Sequence, residues 1–445
     1  MIGWIISAAV SAMMFAAPEN ARAEDGTDDV GRDSLSLGIE DIFKMLDSGN
    51  RTIRMLRTAV DAAGEGVKAA KEARLPDVDA SVNVSYIGDA FLTDRNFSGF
   101  TRLTSPHFGN GFTVDARQVI YAGGAVKAGI ELAEHGLNRS ATELDKSRQG
   151  LRLMAAGQYL DLYRINNSIR VYQENISLTQ KLIEDVQARR EQGLALANDV
   201  TRYELRLETL SLELVRLRNM AEVLNHNLCE TLGIQRNAVI GTFLSEQAVP
   251  EYSSLAEWQE TAKLSSPSIR LAEINRETAE AQRRIVKAGM LPSVAVVAHD
   301  SFNGPITFEV PPIDKNLNVW YVGLGINYSF GSLYKSRSKL RQAGFTARQA
   351  RQAVDVAEES LRNDVKQAYT DYLQSFIELE TSEKSLQLAT ENYERVYDRY
   401  MEQLALITDM LDAFNVKLNA EIGVSDAEAE RQYRLYKLKY VAGIL

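Results

Sequence analysis

The sequence predicts a mixed α and β membrane protein in which long antiparallel helical hairpins carry four short strands. Three observations predict it: an internal duplication, coiled-coil-like seams in stretches free of proline, and segments whose apolar period switches from 3.6 to 2. The duplication organises the rest. Glu191-Gln192-Gly193-Leu194-Ala195-Leu196-Ala197-Asn198-Asp199-Val200 is echoed 210 residues later by Met401-Glu402-Gln403-Leu404-Ala405-Leu406-Ile407-Thr408-Asp409-Met410. Tyr159-Leu160-Asp161-Leu162 faces Tyr369-Thr370-Asp371-Tyr372 at the same offset, and the Leu75-Pro76 strand opening returns as Leu291-Pro292. A unit this long is no solenoid repeat. The chain is therefore two similar halves.

The elements follow in order. Ile2 to Ala17 is apolar and Ala21-Arg22-Ala23 has the small-x-small form of a cleavage site, so residues 1–23 read as a signal peptide, without the usual preceding Lys or Arg. The alternative is a buried N-terminal helix. The first repeat, 24–233, opens with a helical stretch from Leu35 to Arg74. Val82, Val84 and Tyr86 then alternate with Ser81, Asn83 and Ser85, and Phe112, Val114 and Ala116 with Thr113, Asp115 and Arg117. A helix from Gly124 to Gln192 would be about 100 Å long at 1.5 Å per residue. Its seam runs through Ala133, Leu137, Ser140, Leu144, Ser147, Leu151 and Met154, then Leu162, Ile165, Ile169, Tyr172, Ile176, Thr179, Ile183 and Val186. A tight tip follows, then a helix from Arg202 to Leu232. Asn198 and Thr408 read as N-caps of the two returning helices, with Asp199 and Asp409 in their first turns.

Residues 234–266, broken by Gly241, Pro250 and the approach to Pro267, read as an inter-repeat connector. The second repeat, 267–445, gives a helix from Ser268 to Ala288, a strand from Pro292 to Phe302 and a strand from Val319 to Phe330. A long helix from Tyr334 to Glu402 follows, with a seam through Ala343, Ala347, Ala350, Val354, Ala357 and Leu361, then Val365, Ala368 and Tyr372, and then a helix from Leu411 to Leu438.

The strands have the length and the apolar-out, polar-in alternation of membrane-spanning ones. An ordinary sheet on a core alternates too, but here the helices are committed to their own seams. Four strands cannot close a barrel, and open edges in lipid leave backbone groups unsatisfied, so a membrane barrel would draw its strands from several copies: eight from two, or twelve, which can leave a lumen, from three. The connectors from Gly88 to Phe108 and Asn303 to Asn318, rich in Gly, Pro, Asn, Asp and Ser, become outer loops.

Composition excludes much else. The net charge of -10 argues against nucleic acid. One cysteine, Cys229, allows no internal disulfide and reads as packed. His107, His135, His226 and His299 are scattered without ligand spacing, no phosphate loop or nucleophile elbow appears, and neither an enzyme nor a cofactor or metal site is expected.

The ordered set in each half (helix, Leu-Pro strand, loop, strand, long helix, Gly-Leu tip, helix) resembles the TolC family of outer membrane efflux proteins over essentially the whole chain from Leu35 to Tyr440. The resemblance implies a TolC-like homotrimer with a twelve-stranded β-barrel in the outer membrane of a Gram-negative bacterium and a hollow α-barrel across the periplasm. It implies a passive exit duct of a tripartite efflux or type I secretion system, with a periplasmic adaptor and an inner-membrane transporter as partners. The rival reading is a periplasmic coiled-coil scaffold or adaptor without a channel, which needs the seams but not the strands.

The resemblance also assigns roles. Asp409 and Asp412, one helical turn apart, match acidic residues that constrict the pore, and Asp199 is a weaker counterpart. Tyr400 matches a tyrosine that helps hold the tip closed. Gly193 and Leu194, with Gln403 and Leu404 in the second half, match the tip that docks the adaptor. The plain alternatives are a solvated acidic first turn and a seam aromatic. The second half departs from the pattern: Gln403 replaces the expected glycine, and Ala405 stands where a basic latch residue is common. Arg189, Arg190 and Arg399 are the available substitutes.

Overall fold

The computed structural model describes residues 34–234, 238–244 and 254–445. The signal-peptide expectation for 1–23 lies outside the described residues. The chain opens with β1 (Ser34–Ser36), α1 (Ile39–Gly49) and α2 (Arg51–Glu72). The single helical stretch expected there is split at Asn50, whose Oδ1 accepts from the N–H groups of Thr52 and Ile53 at 2.9 and 3.1 Å and so caps α2. Its Nδ2 donates to the Thr231 carbonyl at 2.7 Å. A side chain at neighbouring Gly49 would overlap the Leu232 carbonyl, so glycine permits this close approach.

Next come β2 (Asp77–Tyr86), the small hairpin of β3 (Ala90–Leu92) and β4 (Thr101–Leu103), and β5 (Phe108–Ala122). The first helical hairpin is α3 (Ala125–Glu191) and α4 (Ala197–Leu232). After it β6 (Val239–Gly241) pairs in parallel with β1. The stretch read as the connector holds both β6 and α5 (Leu255–Ser265). Ser254 and Glu257 form a reciprocal capping box on α5, and this local signal outweighs the broken apolar pattern around it. The second half continues with α6 (Pro267–Ala288), β7 (Ser293–Gly304), β8 (Leu317–Asn327), the short α7 (Ser332–Lys335) and the hairpin of α8 (Arg337–Met401) and α9 (Ile407–Val441).

Four strands form one antiparallel sheet in the order β2-β5-β7-β8. Its register sorts the side chains by face. Val78, Ala116, Ala298 and Val322 form one cross-strand row, while Asp79, Asp115, His299 and Tyr321 form the next. One face is thus predominantly apolar and the other predominantly polar over the length of the sheet. On the polar face His299 Nδ1 lies 2.7 Å from Asp115 Oδ1. A bulge between Val119 and Tyr121 lets β5 run on to Ala122. The last expected strand was placed too late: β8 ends at Asn327, and the Tyr328 and Phe330 rings instead meet edge to face beyond it. Neither outer edge, β2 or β8, has a partner within the described residues, and Val82, Tyr86, Trp320, Leu324 and Ile326 all stand exposed.

Three buried clusters pin the rods among the described residues, one of them joining α5, α8 and α9 through Trp258, Ala262, Val365, Ala368, Leu435 and Leu438. Near mid-height Phe43, Leu46, Tyr159, Leu160, Leu228, Leu232, Ile240 and Tyr436 pack together, tying α1, α3, α4, β6 and α9. The Tyr159 hydroxyl accepts from the Phe243 N–H at 2.9 Å and lies within donating distance of the Leu37 and Phe243 carbonyls. Towards the tips Val171, Leu182, Val186, Tyr203, Leu210, Tyr393, Met410 and Phe414 join the two helical hairpins. Along the α8 seam Ala347, Val354, Val365, Ala368 and Tyr372 are buried, while Ala343, Ala350, Ala357 and Leu361 are half-buried. The upper α3 seam is shifted. Met154 is exposed while Ala155, Ala156 and Tyr159 are buried, because α3 packs against α2, α4, α6 and α9 rather than one partner.

Candidate functional site

The echoed decapeptides form the two tips, and both use the same backbone turn. At the first, the Gly193 N–H donates to the Arg190 carbonyl at 2.9 Å and the Leu194 N–H to the Arg189 carbonyl at 2.9 Å. At the second, the Gln403 N–H donates to Tyr400 at 3.1 Å and the Leu404 N–H to Arg399 at 2.8 Å. These are paired Schellman caps. Each needs a left-handed residue, and Gly193 and Gln403 supply it at φ 72° and 62°.

Asn198 and Thr408 do not cap the returning helices. The N-caps are Leu196 and Leu406, and the side chains that serve them are Asp199 and Asp409. Each aspartate, three residues into its helix, accepts from the N–H of the N-cap leucine at 3.2 Å. The carboxylate reaching back replaces a capping side chain, as in half of a capping box. Asp412 lies one turn further on. It is exposed and makes no hydrogen bond or ion pair among the described residues.

Two contacts tie the tips together. Arg189 Nη1 donates to the Met401 carbonyl at 2.9 Å, and Gln403 Nε2 to the Leu194 carbonyl at 3.5 Å. Of the basic residues the sequence left open, Arg189 makes the link between hairpins. Arg399 turns back to its own Leu404 carbonyl at 3.4 Å. Behind the link the rings of Tyr400 and Tyr203 meet edge to face with centroids 6.4 Å apart. Burial pushes both phenols above their ordinary pKa, and the Asp199 carboxylate adds to this, so both stay neutral at physiological pH. Arg206 lies over the Phe414 ring, 5.1 Å from its centroid.

The tips set exposed leucines among exposed Arg190, Glu191, Gln192 and Glu402. Leu194 and Leu404 are exposed, as expected, and so are Leu196 and Leu406, which sequence reasoning passed over. Their signal was in the echo, where both leucines recur at the same offset. Elsewhere, burial raises the Cys229 thiol, which packs against the Ala238 carbonyl. Among the described residues no cluster of three or more His, Cys, Asp or Glu is placed to hold a metal. No helix among them is long and apolar enough to cross a membrane.

Comparison with known proteins places this architecture. The family model described as "Outer membrane efflux protein" matches residues 43–233 and 258–443. The outer membrane efflux protein BepC of Brucella suis biovar 1 is 19% identical over 418 residues, covering 94% of this chain and 88% of its own. Among solved structures, the outer membrane protein VceC of Vibrio cholerae superposes with a TM-score of 0.76 at 16% identity, over 91% of this chain and 96% of its own. The CmeC outer membrane channel of Campylobacter jejuni gives 0.75 at 12% identity, over 96% and 93%.

Proposed function

The chain belongs to the outer membrane efflux protein family, and from that premise we propose how its tips gate and dock the conduit. The protein is an outer membrane efflux channel of tripartite efflux systems, spanning the outer membrane and the periplasm, and not an enzyme. The scaffold reading is thereby set aside. Residues 24–233 and 267–445 act as two equivalent repeats about the 234–266 connector.

Three copies complete the channel. Each contributes its four strands to a closed wall of twelve, pairing β8 of one copy with β2 of the next and satisfying both open edges. The apolar face meets outer membrane lipid and the polar face lines the lumen. The helical hairpins continue the tube through the periplasm.

The reading of the tips rests on one observation: two echoed Schellman turns, cross-linked by Arg189 and Gln403, present four exposed leucines beside the Asp199 and Asp409 caps. Gly193, Leu194, Gln403 and Leu404 form the surface on which a periplasmic adaptor docks, bringing an inner-membrane transporter to the duct. Asp409 and Asp412 from three copies place six carboxylates around one axis, which favours cations and makes tight closure costly. Asp199 steadies that ring from the neighbouring hairpin, and Tyr400 from the other helix of the same one.

Planar-bilayer recording of the purified protein tests this. Asp409→Ala with Asp412→Ala is expected to reduce cation preference and relieve block by divalent ions. A double variant with unchanged reversal potential and block would remove these residues from the gate.

A further inference from the structure

Two hairpins stand at the end of the sheet away from the helices, and both are hydrogen-bonded and apolar-tipped. The first runs between β2 and β5. The Ile87 N–H donates to the His107 carbonyl at 2.9 Å at its base, and Arg102 pairs with Asp89 along its side. At its tip the Asp94 N–H donates to the Ser98 carbonyl at 2.9 Å and the Phe97 N–H to the Asp94 carbonyl at 2.8 Å. That turn holds Phe97 at φ 64°, a conformation a bulky side chain rarely adopts. The second hairpin runs between β7 and β8 and is closed by reciprocal bonds between Ile306 and Ile313, both 2.9 Å.

What these hairpins present is hydrophobic. Phe97 is 81% exposed and Phe308 75% exposed, and Phe91, Phe100 and Val310 stand out beside them. One copy's hairpins therefore do not cover each other. Lipid hydrocarbon does not cover Phe97 either. The strand ladder ends at Tyr86 and Phe108, already long enough to cross the hydrocarbon, and Phe97 lies eleven residues further on. Ordered backbone holding aromatics in water is unfavourable unless something buries them.

The strand order supplies the occupant. β2 and β8 are the sheet's open edges, so the first hairpin leaves one edge strand and the second enters the other. When copies close into a ring, the first hairpin of one chain stands beside the second hairpin of its neighbour. We infer that the tip of the Ile87–His107 hairpin buries Phe97 and Phe100 against Phe308 and Val310 of a second copy of this chain, forming a phenylalanine collar at the outer mouth. This rests on the trimeric barrel proposed above.

Cysteine pairing tests it in the purified full-length protein, whose own Cys229 is buried. Under mild oxidation Phe97→Cys with Phe308→Cys is expected to shift most of the chain from monomer to covalent trimer on a non-reducing denaturing gel. Phe100→Cys with Val310→Cys provides an independent pair. Native mass spectrometry reports assembly separately. A native trimer in which both pairs stay uncrosslinked, or close only within one chain, overturns the collar and leaves the trimer standing. Covalent dimers from Phe97→Cys alone also overturn it, since like hairpins would then meet. A native monomer overturns the trimeric reading itself.

Discussion

Gly193 and Gln403 occupy the same left-handed corner of two equivalent turns, at φ 72° and 62°, and Gln403 Nε2 reaches the carbonyl of Leu194 beside its counterpart. One half meets the geometry with the residue suited to it. The other accepts strain and takes a cross-hairpin contact in return. The strain of a non-glycine residue there is about 1 kcal/mol. Gly193→Ala is accordingly expected to weaken hydrogen-exchange protection at the first tip by about that amount. Gln403→Gly should relieve backbone strain at its own turn while loosening the tie to Leu194. Protection rising at the second tip as it falls around Leu194 would mark the trade; equal losses at both tips would contradict it.

Arg189 carries the stronger tie, to the Met401 carbonyl. Arg189→Ala is expected to raise the open fraction in single-channel recordings severalfold. Arg399→Ala, whose contact stays within one turn, should do much less. Equal effects would argue against a link between hairpins as the restraint.

Asp409 and Asp412 should separate in stability even though the same gate role is proposed for both. Asp409 serves the Leu406 N–H at the helix start. Asp409→Asn is therefore expected to cost about 0.5–1 kcal/mol in denaturant unfolding. Asp412→Asn should cost almost nothing by the same measurement.

Asp426 gives a small pH dependence, because its side chain is 51% exposed and water screens it. Burial raises its pKa, the Arg164 guanidinium only partly opposes this, and Asp161 adds to it. A carboxyl raised in the folded state contributes stability that is complete below its unfolded value, near 4, and lost as pH rises through the folded one. Asp426→Asn should match the parent near pH 3.5 and be the more thermally stable at pH 7.5. Arg164 keeps Glu430 at 2.9 Å in the variant. A variant less stable at pH 7.5 would show that the Arg164 contact outweighs the burial cost.

Tyr159 bridges α3 to the segments around Leu37 and Phe243. Tyr159→Phe leaves the Phe243 N–H without that acceptor, an expected loss of about 1–3 kcal/mol on unfolding. A neutral substitution would place this junction outside the stabilising core.

Both tip turns and all four long strands were legible because each repeats a period over many residues or recurs at a fixed offset. The helix caps were not. Asn198 and Thr408 are the residue types that usually cap, whereas Leu196 and Leu406 cap only because Asp199 and Asp409 fold back three positions. Three-residue strands such as β1 and β6 are too short to show a period, and their partner lies some 200 residues away in the chain. At the candidate site the choice of Arg189 over Arg190 and Arg399 depends on which carbonyl each side chain reaches. That is a fact of packing, not of pattern.

The bare borders of the sheet at β2 and β8 also have a genetic consequence. In the proposed trimer the wall is completed only by sister molecules, which makes each one answerable for the rest. A copy crippled along Val78 to Tyr86 or Trp320 to Ile326 would not merely be absent from the membrane. Co-expressed with the intact protein, it would enter mixed assemblies and ruin them, so such alleles should behave as dominant negatives, while a deletion remains recessive.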